Sequence, residues 1–332
     1  MSVTEEDVPP PPTDPPAAAA PARREWPRVA RAIAIGLYAG ALVAWWATHG
    51  IPLDREQIIL WLAAGLVVLT IGSPGGGPWR VLRDWAPIVL VLIAYDLTRG
   101  KADELGISPH LQPQLAFDEW LGFGRIPTVR LQDALYAPGP VQWWEIPVTF
   151  TYLSHFFVPF LVAGVLWVRD RGRFWRYMKR FVTLTFAAAV TFVLYPAVPP
   201  WLAARMGHTE AIVRTVPRGW GHRWIDLEIA QDVIQTAWDT ANTVAALPSL
   251  HAGYTALIAV TLWPAARPLT RGLLVAYVLG MGFVLVLTGE HYVFDLLVGW
   301  LYVAAVCLTW DRIEARRRSA DPGLTPARTF SR

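Results

Sequence analysis

The sequence predicts an all-α fold: a polytopic membrane helical bundle of about eight transmembrane helices, with both termini cytoplasmic. Three observations carry that prediction. Only 17% of the 332 residues are charged while 54% are hydrophobic, against roughly a quarter charged in ordinary soluble domains. Apolar stretches recur at close to the ~20 residues a helix needs to cross a bilayer. The charges fall in short bursts between those stretches, so that from Pro248 to Trp310 only Arg267, Arg271, Glu290 and Asp295 are charged. The pattern excludes a soluble two-domain protein and a disordered one. The small basic excess, 29 Lys and Arg over 26 Asp and Glu, is distributed as in a membrane protein, and nucleic acid is not an expected partner. A single cysteine, Cys307, excludes a disulfide framework and a cysteine-ligated zinc site.

Along the chain, residues 1–25 form a Pro- and Ala-rich tail with Pro9 to Pro12 in a row, read as disordered and cytoplasmic. Apolar segments near 29–48, 57–72 and 85–98 form an N-terminal helical unit over 26–98. A polar segment, 99–145, follows outside the membrane. Segments near 146–168, 181–198, 249–266, 272–289 and 291–310 make a transmembrane core over 146–310, which includes an outer loop, 199–247. A basic cytoplasmic tail, 311–332, ends the chain. Orientation follows from Arg and Lys in short loops, which favour the cytoplasmic side. Clusters stand before the first helix (Arg23, Arg24, Arg28, Arg31), between the second and third (Arg80, Arg83) and between the fourth and fifth (Arg169 to Arg180). Two more stand between the sixth and seventh (Arg267, Arg271) and after the eighth (Arg312 to Arg318). An even number of spans puts all five on one side.

Two of the seven histidines have informative surroundings: Pro248-Ser249-Leu250-His251 and Glu290-His291-Tyr292-Val293-Phe294-Asp295. The span count places His251 at the outer end of the sixth helix and His291 at the outer end of the eighth. His291 and Asp295 are four apart and share a helix face. A carboxylate beside an imidazole fixes its tautomer and stabilises the imidazolium. Ionisable groups in apolar helices are costly and are functional candidates by default. Two outward helix N-termini, with their unpaired N–H groups and positive dipole ends, add a binding place for phosphate beside Ser249. Pro248 suits a first helical turn. His155, deeper in the fourth helix, reads as a hydrogen-bonding partner for a neighbouring helix or cavity. Two other uses of the same residues are a His-His-Asp metal site and a proton-coupled transporter. A relay would spread ionisable groups over several depths rather than gather them at one.

The paired motifs resemble those of the type 2 phosphatidic acid phosphatase superfamily, which has P-S-x-H and H-x-x-x-D on neighbouring helices of a six-helix core. The H-Y-x-x-D form and Tyr195-Pro196-Ala197-Val198-Pro199-Pro200-Trp201 are similar to the branch containing inositol phosphorylceramide synthase and sphingomyelin synthase. The K-x6-R-P motif of the phosphatases is absent ahead of Pro248. The resemblance implies a membrane lipid phosphotransferase with His291 as nucleophile, Asp295 as its partner and His251 as acid and base. Ser249 and one or more of Arg205, Arg214, Arg218 and Arg223 would bind the phosphate. It implies no cofactor and no metal. The expected partners are the membrane and a lipid substrate, either a phospholipid or a polyprenyl phosphate. The site is expected at the extracytoplasmic face of the cell membrane. A lipid phosphate or polyprenyl diphosphate phosphatase using the same residues is the alternative.

Overall fold

A computed structural model describes residues 26–49, 55–72, 77–99, 107–136, 142–214 and 243–320. The tail over 1–25, Arg218, Arg223 and residues 321–332 lie outside the described residues. In chain order the helices are α1 (Trp26–His49), α2 (Arg55–Leu69), α3 (Gly77–Arg99), α4 (Gln112–Leu121), α5 (Pro127–Leu135), α6 (Glu145–Arg169), α7 (Arg171–Leu194), α8 (Pro200–Arg205), α9 (Leu250–Leu262), α10 (Pro268–Leu287) and α11 (Val293–Ala320). No strand occurs among the described residues, which hold only two isolated bridges, His110 to Ala197 and Ala197 to Ala245. Each of the eight expected segments is a helix. Five of them, α1, α6, α7, α10 and α11, are long and apolar enough to cross a membrane. The chain is therefore an all-α, multi-pass membrane protein.

The helix limits differ from the hydropathy reading wherever charge enters a helix. α7 begins at Arg171, ten residues ahead of the apolar stretch, with Arg173, Arg176, Lys179 and Arg180 inside it. Arginine and lysine are good helix formers. Asp170 supplies the start, its carboxylate accepting from the Arg173 N–H at 2.9 Å. α6 and α7 are thus separated by this one capping residue, and the expected basic loop is a basic first half of a helix. For the same reason α11 runs on through Arg316, Arg317 and Arg318.

α9 is the centre of the bundle, in contact with α6, α7, α10 and α11. Its sequence is apolar nearly all round, as burial on several sides requires. Tyr177, Phe181, Leu184 and Ala188 of α7 meet Leu257 and Ile258 of α9 and Val303 and Val306 of α11 in the main core cluster. α2 packs on α6, α3 on α7, and α1 on α2. The basic clusters that flank the long helices gather at one end of the bundle. There Arg180 pairs with Asp311 at 2.6 Å and Lys179 with Glu314 at 3.5 Å, joining α7 to α11. Buried Asp84 of α3 is held by Arg171 and accepts from Trp167 Nε1 at 3.0 Å. At the other end α4, α5, α8 and the short bridges lie over the ends of α9, α10 and α11. That end carries both histidine motifs.

Candidate active site

The two motifs meet because three chain breaks are built to tight tolerances. α10 ends at Gly289, whose φ of 73° lies in the left-handed region. Its N–H donates to the Val286 carbonyl and the Glu290 N–H to the Leu285 carbonyl, a paired C-terminal cap of the kind glycine permits. A Cβ there would also stand 2.6 Å from Ile212. The chain turns through His291 and Tyr292 and starts α11 at Val293. Asp295, fully buried, reaches back so that its Oδ2 accepts the Tyr292 N–H at 3.0 Å. This is the acidic half of a capping box. The same oxygen faces His291 Nδ1 at 3.4 Å.

The other motif is tied to this turn through backbone. Ser249 is the N-cap of α9, its hydroxyl oxygen accepting the Ala252 N–H at 3.3 Å, and Pro248 precedes the cap rather than opening the helix. The Ser249 N–H donates to the Asp295 carbonyl at 3.2 Å. One turn along α11, Gly299 lets the Ser249 backbone approach: a Cβ at 299 would lie 2.6 Å from the Ser249 carbonyl oxygen. The contact is with backbone, which has nowhere to move. Gly299→Ala is expected to cost about 1–3 kcal/mol and to lower turnover along with thermal stability, read by a melting curve beside an activity assay. An unchanged melting temperature and rate would mean that this seam does not set the spacing of the motifs.

As a result the His251 and His291 rings lie with centroids 5.8 Å apart at 61°. His155 of α6 joins them, its ring stacked on His251 at 3.7 Å and on Tyr254 at 5.2 Å. Tyr152, one turn earlier, stacks on His251 at 5.0 Å. Stacking on both neighbours fixes the plane of the His251 imidazole. The sequence reading places His155 as a hydrogen-bonding partner for a neighbouring helix or cavity and does not put it beside His251. Its signal was present in the sequence, since it is an ionisable residue inside an apolar helix.

The phosphate-binding candidates separate. Arg214 forms a two-pronged pair with Glu290, at 2.6 and 3.0 Å, and lies over the Trp201 ring at 4.4 Å. Glu290 adjoins His291 in the chain, so Arg214 stands at the site. Its position is set by Gln132 of α5, which donates to the Val213 and Leu287 carbonyls and accepts the Val213 N–H. Arg205 is exposed at the end of α8, with its guanidinium 5.0 Å from the Trp201 ring centroid. Glu290, Gln132 and Trp201 are therefore site residues to which the motif reading gave no role: Glu290 and Trp201 stand inside the motif segments, and nothing in the local pattern of Gln132 marks it.

The expectation of two open helix ends is corrected. The first N–H groups of α11 are already taken: Val293 and Phe294 donate to the Asp118 carboxylate of α4 at 2.9 and 3.1 Å, and Tyr292 donates to Asp295. An anion held there would displace a carboxylate, so α9 is the end that remains for phosphate. Asp118 is itself fully buried. Burial pushes its carboxyl up to about 6, against the two N–H bonds that pull it down, and Asp295 pushes the same way. As to metal, no group of three or more His, Cys, Asp or Glu side chains able to hold an ion occurs among the described residues.

The sequence profile of the PAP2 superfamily matches residues 114–309 of the chain. Phosphoinositol dihydroceramide synthase of Bacteroides thetaiotaomicron is 26% identical over 176 residues, which are 51% of this chain and 56% of that protein. The chain thus spans little more than half the length of this curated relative. No solved structure matches it.

Proposed function

The chain belongs to the PAP2 superfamily, and from that premise we propose that it is a membrane lipid phosphotransferase, which transfers a phosphate-containing head group from a phospholipid to an alcohol acceptor through a covalent histidine intermediate. The observation that carries the reading is the approach of the His251 and His291 rings to 5.8 Å, with Asp295 against the far nitrogen of His291. Asp295 faces Nδ1, which leaves Nε2 as the attacking atom. Nε2 forms a bond to phosphorus as the bond from phosphorus to the lipid oxygen breaks. Asp295 stabilises the positive charge growing on the ring. His251 gives its proton to the departing oxygen. The acceptor hydroxyl then attacks phosphorus, His251 takes the hydroxyl proton, and His291 leaves unchanged. Arg214, the Ser249 hydroxyl and the first N–H groups of α9 balance charge on the phosphoryl oxygens.

Transfer is favoured over hydrolysis by two observations. α4, α5, α8 and the 195–198 segment lie over the site, and a covered site keeps water from the intermediate. The bacterial relative is by name a synthase. In orientation, the arginine clusters lie at the end of the bundle away from the histidines, so the positive-inside rule directs the site to the extracytoplasmic side of the cell membrane.

Purified protein in lipid nanodiscs, incubated with a panel of phospholipid donors and lipid alcohol acceptors, is expected to yield an acceptor that has gained the donor's head group and phosphate, read by mass. Free inorganic phosphate from lipid phosphates as the main product would instead assign the phosphatase alternative. The two histidines must hold opposite protonation states at the start of the cycle. A bell-shaped pH dependence of kcat/KM is therefore expected, its acid limb from His291 and its alkaline limb from His251. A flat profile between pH 5 and 9 would remove the acid–base assignment.

A further inference from the structure

The first turn of α11 contains half of a capping box. Asp295, at its third position, accepts the N–H of Tyr292, but the reciprocal bond needs an oxygen on the side chain of the capping residue. Tyr292 cannot bend its hydroxyl back to its own helix end. The two N–H groups between Tyr292 and Asp295 are capped from another element. Asp118, 175 residues earlier on α4, places one oxygen on each of the next two N–H groups, those of Val293 and Phe294. Both bonds are ordinary in length and the carboxylate is closed off from solvent. A buried carboxylate is costly to keep. Neutral capping residues such as Asn or Ser also satisfy helix-end N–H groups, so the charge calls for an explanation beyond the fold.

The geometry of the turn supplies one. An unshielded helix N-terminus carries about half a positive charge, and His291 is two residues before α11. That field disfavours a positive imidazole at the position where the mechanism creates one. We propose that Asp118 is a positioning residue of the phosphoryl-transfer site: it caps the first two N–H groups of α11 from outside the helix, holds His291 against Asp295, and cancels the helix-end charge so that the His291 ring can become positive. The inference rests on His291 being the nucleophile. From α11, Asp118 feels the charge of Asp295, and the Tyr292 hydroxyl lies within range of Asp118, Asp295 and Glu119. From α5, Arg130 is engaged with the Gly122 carbonyl at the far end of α4. α4 is also held to this turn by apolar contact, since Leu111 and Leu115 share a cluster with Ile126, Val129 and Tyr292, and the Asn and Glu variants leave that cluster intact.

The test compares Asp118→Asn, which keeps the shape and removes the charge, with Asp118→Glu and Asp118→Ala in the full-length protein in nanodiscs. Asp118→Asn is expected to lower kcat on the order of tenfold, the rate equivalent of one charge at a partly buried helix end, with KM changed by less than about twofold. The acid limb of its kcat profile is expected to move to lower pH. Asp118→Glu, which keeps the charge, is expected to retain more of the rate than Asp118→Asn. A readout that needs no turnover is the pH midpoint of His291 carbethoxylation by diethyl pyrocarbonate, followed site by site by mass. That midpoint is expected to fall in Asp118→Asn. Wild-type kcat and an unmoved His291 midpoint in a folded Asp118→Asn variant would overturn the inference. Should Asp118→Ala fail to fold, the Asn and Glu pair decides alone. Full activity in His291→Ala would instead sink the nucleophile assignment, and the carbethoxylation midpoint would still report whether Asp118 sets the basicity of His291.

Discussion

His291→Ala is expected to abolish head-group transfer, with a loss of about 10⁴-fold or more in kcat, since removing a covalent nucleophile leaves only binding and charge stabilisation. The neighbouring groups at the site are committed to other contacts. His251 is held in its stack by His155 and Tyr152, and Asp295 is buried behind the His291 ring. Asp295→Asn is the companion variant. The carboxylate has no exposure, and its Oδ1 has no hydrogen-bond partner among the described residues. Such a group is destabilising, so the neutral variant should fold at least as well while losing about 10²–10⁴-fold in rate by analogy with other His–Asp pairs. Two measurements check this: melting temperature beside turnover, and the mass of peptides from quenched reactions. Wild-type protein is expected to show an acid-labile adduct on His291, head group and phosphate together. The same adduct in His291→Ala would place the covalent bond elsewhere.

His251→Ala has the second largest expected effect, about 10²–10⁴-fold, and it is selective. The acid is required only when the leaving oxygen is a poor one. A lipid alkoxide needs a proton as it departs, whereas p-nitrophenolate does not. With a p-nitrophenyl phosphodiester donor, His251→Ala should recover most of the first-step rate, seen as a burst of p-nitrophenolate, while His291→Ala should remain inactive. Equal impairment with both donors would remove His251 from the proton-transfer role and leave it as a phosphate contact.

Much of the architecture was legible because it depends on local pattern. Eight apolar runs became eight helices, and the spacing of His291 and Asp295 placed both on one turn. Their helix limits were misjudged where Arg171 to Arg180 and Arg312 to Arg318 continue a helix beyond the apolar stretch, since hydropathy reports the solvent and not the backbone. Within the site, the paired motifs pointed to His251, His291, Asp295 and Ser249, and the structure brings these four together. Arg214 lies beside them and Arg205 shares Trp201 with it, while Arg218 and Arg223 fall outside the described residues. What could not be read is what acts over long separations. Asp118 sits in an unremarkable Phe117-Asp118-Glu119-Trp120 stretch, and its meaning appears only when α4 meets α11. Gln132 and Glu290 are similar: one is a loop strut and the other a counter-ion, and neither function leaves a periodic trace. His155 differs, because an imidazole in the middle of an apolar helix is a signal that ordinary helix packing does not require.

Thirteen residues of α9 rise only about 20 Å, well short of a ~30 Å hydrocarbon layer. With its basic end at Arg267 set at the inner interface by the positive-inside rule, a helix this short is expected to start below the outer surface of the bilayer. Its histidine can meet a phosphorus atom at glycerol level while the acyl tails stay dissolved in the leaflet, so neither donor nor acceptor has to be hoisted into solvent. Reactivity should then sort compounds by immersion: a phosphodiester tethered to long chains arrives at the correct height, and a water-soluble one with the same bonds needs a far higher concentration to react.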